Sequence, residues 1–194
     1  MIVWFTGLSG AGKSTLCRAV EQKLLARDFP VEVLDGDEVR RNLSKDLGFS
    51  KHDRIENLHR IHYVAQLLAR HEIVVLVAAI SPYNEIRDEV RRTSSTPFLE
   101  VYVDAPLSVC EQRDPKGLYR KARQGLISEF TGISDPFEIP TAPDVTCYTA
   151  VEEVAESCAK VLSAVEHLLR KSASRDEKEG TEPILLSNSR RAAV

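Results

Sequence analysis

Gly7-Leu-Ser-Gly-Ala-Gly12-Lys13-Ser14 joins a short apolar run, Ile2 to Thr6, to a segment in which Leu16, Val20 and Leu24 recur at helical spacing. Glycines at this spacing let the backbone curl until successive N–H groups point inward at phosphate oxygens, and a following helix adds its positive N-terminal end. Lys13 is placed to neutralise β- and γ-phosphate charge, and Ser14 to ligate magnesium. Gly7, Leu8, Ser9, Gly10, Ala11, Gly12, Lys13, Ser14 and Thr15 are therefore the expected nucleotide cradle, with ATP as co-substrate and Mg2+ as its companion. The strand–turn–helix context separates this octapeptide from a chance glycine turn. The sequence has no NKxD guanine motif.

A second apolar run, Val31 to Leu34, ends at Asp35-Gly-Asp37. Carboxylates at that position can hold a magnesium water shell or accept a hydroxyl proton, and both roles need an acid near the γ-phosphate. Asp35 is the better chemical candidate, because Asp37 also suits the N-cap of a helix over 38–43. Arg40, Arg54 and Arg60, with Asn57, follow on two helical segments. Guanidinium forks suit a multiply charged acceptor, although isolated arginines more often lie in solvent. His52, His59, His62 and His71 crowd one segment without the carboxylate or thiolate partners of a metal pattern.

These residues need a frame. Ile73 to Ile80 is an unbroken apolar run, as expected of a strand buried on both faces. Between the second and third strands, Ser50 can cap a helix whose Leu58, Ile61, Ala65 and Leu68 share one face. Phe98 to Val103 reads as a fourth strand and Val145 to Tyr148 as a last one. Val151, Val154, Ala155, Cys158, Val161, Leu162, Val165 and Leu169 mark a closing helix. Alternating strands and helices predict an α/β doubly wound parallel sheet with helices on both faces and its ligands at the carboxyl ends of the strands. The Lys-, Arg- and Gly-rich stretch from Arg113 to Gly132 reads as a mobile basic cover, or lid. The polar residues from Ser172 onward read as a flexible tail or linker remnant, so the expected division is a P-loop domain over 1–171 and a tail over 172–194.

The 26 basic and 29 acidic residues give a net charge of -3, which excludes the strongly basic footprint of a nucleic-acid binder. No run approaches the length of a membrane span, and no basic leader precedes the apolar start, so a cytoplasmic protein is expected. Cys17, Cys110, Cys147 and Cys158 form no CxxC pair and read as buried thiols.

Taken in order over roughly residues 2 to 150, GLSGAGKST, LDGDEVR, DLGFS, DRIENLHRI, ISPY, EVYVDAPLSVCEQRDPKGLYRKAR and EFTGIS resemble the adenylylsulfate kinase family. The resemblance implies transfer of the ATP γ-phosphoryl group to the ribose 3′-hydroxyl of adenylyl sulfate in sulfate activation, with magnesium as cofactor. By the same resemblance, Asp35 and Asp37 lie near metal and acceptor hydroxyl, and Arg40, Phe49, Arg54 and Asn57 grip adenylyl sulfate. Phe49 and Phe130 resemble an aromatic pair that sandwiches its adenine, and their polar, glycine-containing loops favour stacking over core packing. Ile80 and Ser81 end the third strand as substrate contacts. The family is sometimes assigned a phosphoserine at this serine, but direct transfer needs no covalent stop. Arg113 to Lys121 resembles the lid, with Arg113 stacking on the ATP adenine and Lys116 or Lys121 approaching phosphates, unless these charges simply face water.

His59 and Asn84 stand where arginine is expected in many relatives, and Ser128 where lysine is common. These departures bear on affinity rather than reaction type. Family members are often homodimers, and some are fused to a sulfurylase. Two other readings remain at this point: another small-molecule kinase of the same fold, which would survive loss of Phe49 and Phe130, and a noncatalytic nucleotide-binding regulator, which would bind ATP without turnover.

Overall fold

The computed structural model describes residues 1–179. Five strands, β1 (Ile2–Thr6), β2 (Val31–Asp35), β3 (Val74–Ala78), β4 (Phe98–Asp104) and β5 (Val145–Tyr148), form one parallel sheet in the order β2-β3-β1-β4-β5. The five expected strands are all present. The helices are α1 (Lys13–Leu25), α2 (Gly36–Asn42), α3 (Lys51–Ala69), α4 (Asn84–Thr93), α5 (Leu107–Arg113), α6 (Leu118–Arg123) and α7 (Val154–Glu179).

β1 and β3 are buried along their whole length because both faces of the sheet are covered. Their side chains alternate between two cores. Val3, Phe5 and Leu76 pack with α1 and α7, whereas Ile2, Trp4, Val75 and Val77 pack with α3 and α4. Each large side chain buried here contributes roughly 1.5–3 kcal/mol relative to exposure. Register matters for the site: Phe5 pairs with Ala78 and Asp35 also pairs with Ala78, so the turns after β1, β2 and β3 open at one rim. The four cysteines are free and buried, as expected.

One expectation changes and two helices are added. α2 begins at Gly36, and its N-cap is Asp35, whose carboxylate accepts the Asp37 N–H at 2.9 Å, so Asp37 is not the cap. Within the basic stretch between Arg113 and Gly132 the chain also carries a helix, α6, which follows α5 after the turn over 114–117. Asp114 caps the turn by accepting from Tyr119 N at 3.1 Å and Arg120 N at 3.0 Å, and Tyr119 and Ala122 are buried. α4 was not anticipated, because only Ile86 and Val90 mark its apolar face in a charge-rich segment.

α7 continues through Glu179, past the expected boundary at Lys171. The remainder of the expected tail, 180–194, lies outside the described residues. Among the described residues no helix is long and apolar enough to cross a membrane.

Candidate active site

The rim holds a cleft of about 1070 Å³, lined on one side by the glycine-rich turn and on the other by α2, α3 and the 127–131 segment. The turn needs its glycines at specific points. A Cβ on Gly7 (φ 148°) would collide with the Val103 carbonyl, and Gly12, at φ 103°, is the left-handed N-cap of α1. Lys13 folds back over the turn, donating to Gly7 O at 2.9 Å and Leu8 O at 2.8 Å. Burial, and then the nearby Lys116 charge, push its pKa down to about 8.

Ser14 Oγ donates to Asp35 Oδ2 at 2.7 Å. Both oxygens of Asp35 are thus engaged, one by Ser14 and the other by the Asp37 amide. Asp37 reaches across the cleft to an ion pair with Lys116 of the α5–α6 turn. Ser14 and Asp35 form a pair of hard oxygen donors beside the cradle, the donor chemistry that magnesium takes together with phosphates and water. The residues therefore fit that ion.

The opposite wall is built around Arg54. Its Nε donates to Phe49 O at 2.8 Å, its Nη2 donates to Glu129 O, and Asp135 lies 3.7 Å away. One buried guanidinium thereby pins two loops to α3. Phe49 is 56% exposed, with the Arg40 guanidinium 4.5 Å and the Arg54 guanidinium 5.6 Å from its ring centre. Phe130 is only 9% exposed and meets Tyr119 edge-on, at 5.0 Å between centroids. Both aromatic rings line the cleft, although Phe130 also belongs to the core. Asn57, one helical turn beyond Arg54, is buried and its Oδ1 has no hydrogen-bond partner among the described residues.

Ile80 and Ser81 line the cleft as expected. Ser81 adopts φ 48°, a left-handed conformation uncommon for serine, and its Oγ accepts a hydrogen bond from Trp4 Nε1 at 2.8 Å. The Ser81 carbonyl accepts from Arg87, which is ion-paired with the buried Glu100 at 3.2 Å.

Arg113 donates to Gly10 O at 3.3 Å and to Thr149 O at 2.5 Å, tying the cradle to the turn after β5. Lys121 is exposed and does not line the cleft, and neither do Gly7, Leu8 and Ala11, which shape the turn from behind. Sequence reasoning missed Thr149, whose Oγ1 donates to Ala11 O at 2.6 Å, and Tyr119, whose hydroxyl donates to Ser9 O at 2.9 Å. Thr149 stands in no recognisable pattern and Tyr119 lies within the GLYRKAR block, but only tertiary placement reveals what either hydroxyl meets.

The model of the family described as "Adenylylsulphate kinase" matches residues 1–148. The chain belongs to the adenylylsulfate kinase family. Among its relatives, the adenylyl-sulfate kinase of Gloeothece citriformis is 59% identical over 86% of this chain and 94% of its own length. That of Myxococcus xanthus is 55% identical over 84% of this chain and 90% of its own. The APS kinase of Mycobacterium tuberculosis, solved with AMPPNP and APS, superposes with a TM-score of 0.82 at 48% identity, covering 85% of this chain and 96% of that one. A gluconokinase from Sinorhizobium meliloti, at 20% identity and a TM-score of 0.57, shares the fold alone.

Against the arginine and lysine expected from this family, His59 lies 3.3 Å from Glu89 and Ser128 is exposed. The Asn84 amide N–H donates to Glu138 at 2.7 Å, and its side chain accepts from Arg87. None of the three lines the cleft.

Proposed function

We infer that this protein transfers the γ-phosphoryl group of ATP to the ribose 3′-hydroxyl of adenylyl sulfate, giving 3′-phosphoadenylyl sulfate and ADP. The observation that carries this reading is the opposition, across one cleft, of a phosphate cradle and a wall that offers two guanidinium groups, an amide and two aromatic rings. That wall suits a planar base joined to an anionic phosphosulfate. Family membership and the structural relative solved with AMPPNP and APS support the same assignment.

In the proposed reaction the cradle N–H groups and Lys13 hold the donor phosphates, while Arg40, Arg54 and Asn57 hold the acceptor, with its base between Phe49 and Phe130. The acceptor oxygen bonds to the γ-phosphorus as the bond from phosphorus to the bridging oxygen breaks, and ADP leaves. Asp37, which is not committed to Ser14, takes the hydroxyl proton. Ser14 and Asp35 would hold magnesium, whose positive charge would offset the negative charge that develops during transfer. Ser81 positions the loop after β3 rather than carrying phosphate, since its Oγ already accepts from the Trp4 indole. Lys116, through its pair with Asp37, brings the α5–α6 turn over the phosphates.

The test is ADP formation with and without adenylyl sulfate. Acceptor-dependent turnover is expected, falling about 10²–10³-fold in Lys13→Ala and about 10²–10⁴-fold in Asp37→Asn. ATP binding without acceptor-dependent turnover would sink the assignment.

A further inference from the structure

Among the described residues, a few buried side-chain polar atoms lack a hydrogen-bond partner. Two of these residues line the cleft, Asn57 and Thr131. Asn57 is accounted for by the acceptor wall. Thr131 is not: it is 2% exposed, follows Phe130 directly, and its Oγ1 meets neither solvent nor a protein partner. A buried hydroxyl left unpaired destabilises a folded protein, so native structures rarely keep one without a partner, and at a cleft wall that partner can be a bound ligand.

The backbone around Thr131 is held firmly. Glu129 sits at φ 52°, uncommon for a non-glycine residue, with its carbonyl taken by Arg54. On the other side Gly132 adopts φ 90°, where a Cβ would stand 2.9 Å from the Leu8 side chain of the phosphate cradle. Thr131 itself bridges to Asp135. Arg54 and Asn57 are three residues apart on one face of α3, so the contact that fixes the loop ties the segment carrying Thr131 to the helix that carries the Asn57 amide, and both residues line the cleft.

We propose that Thr131 Oγ1 is a specificity-determining contact that hydrogen-bonds the acceptor nucleotide beside the Phe130 ring. The inference rests on the reading of the cleft as an adenylyl sulfate site. It assigns a neutral hydroxyl contact to a wall otherwise described by charge and stacking. A site whose buried polar group is satisfied only by its ligand discriminates strongly against ligands that cannot pair with it. The hydroxyl is an expense to the free protein and a benefit to the complex.

Thr131→Val keeps the shape and removes the hydroxyl, and Thr131→Ser keeps the hydroxyl. Calorimetric binding of adenylyl sulfate, steady-state KM for both substrates, and the Tm of the free protein separate the outcomes. The valine variant is expected to raise KM and Kd for adenylyl sulfate about tenfold, to leave KM for ATP within about twofold, and to keep or raise Tm. The serine variant is expected to restore acceptor affinity. An unchanged acceptor KM in the valine variant overturns the inference, as does a lower Tm with both KM values raised, which would mean that the hydroxyl is structural. Wild-type protein that neither binds nor phosphorylates adenylyl sulfate would bring down the reading of the cleft and this inference with it. Normal wild-type turnover with an indifferent valine variant brings down this inference alone.

Discussion

The two ends of the cleft are made in opposite ways. The donor end is one uninterrupted stretch of chain, Gly7 to Thr15, whose chemistry lies largely in backbone N–H groups and whose lysine is satisfied by its own turn. The acceptor end is assembled from α2, α3, the end of β3 and the 129–131 segment, all through side chains, and two of its polar atoms await a partner. Phosphate is a constant feature of nucleotides and can be met by backbone geometry. An acceptor must be told apart from other hydroxyl compounds, which takes side-chain groups brought together by the fold.

This contrast breaks most sharply at Arg54, which no donor-side group touches. Arg54→Ala leaves the Phe49 and Glu129 carbonyls without their donor and releases two loops from α3. KM for adenylyl sulfate is expected to rise about 100-fold and Tm to fall, in line with losing charged hydrogen bonds worth roughly 1.5–3 kcal/mol each. KM for ATP should stay within about threefold by the same independence of distant sites; steady-state kinetics in each substrate would reveal a matching rise that erases the distinction between the two ends.

A smaller effect is expected at Phe49. Its ring is more than half exposed, so Phe49→Ala should hardly move Tm while raising acceptor KM about tenfold, the cost of losing one stacked base. If acceptor affinity survives this change, the base is not held by Phe49 and the aromatic part of the wall needs another role.

The donor end supplies the mildest test, a pH profile. Lys13 loses its proton near pH 8 in the free protein, and bound phosphates favour the charged form, so the complex keeps that proton to higher pH. The complex therefore binds more protons above about pH 8, and ATP affinity should weaken there by at most about tenfold per pH unit. The opposite sign applies to folding: between about 8 and the ordinary lysine value the unfolded chain holds more protons, so stability from this group rises with pH. Calorimetric titration of ATP into wild type and Lys13→Arg checks the assignment, since arginine should flatten the profile. An identical slope in both would place the titration elsewhere.

Much of this was readable in the sequence, for identifiable reasons. The strands announce themselves because a sheet covered on both faces requires unbroken apolar runs, and the cradle because its chemistry is local. α4 stayed hidden because two apolar residues suffice to seat a helix whose other residues face water, Glu100 or the 138 loop. Asp37 as the helix cap failed because Asp35, two residues earlier, had the same capacity and the better position. Thr149 stands in no motif, and Thr131 sits in the EFTGIS block without marking itself out: a threonine is commonplace in sequence, and only its neighbours in space decide whether its hydroxyl is wet, paired or stranded.

The four buried thiols have a practical consequence. Burial raises all of them, Cys17 to about 12 and Cys147 to about 11, so little thiolate exists near neutrality to attack an electrophile. The native chain is thus a quiet background for maleimide chemistry. A cysteine substituted for the exposed Lys121 on α6 would react alone, giving a single labelling site outside the cleft without any further engineering.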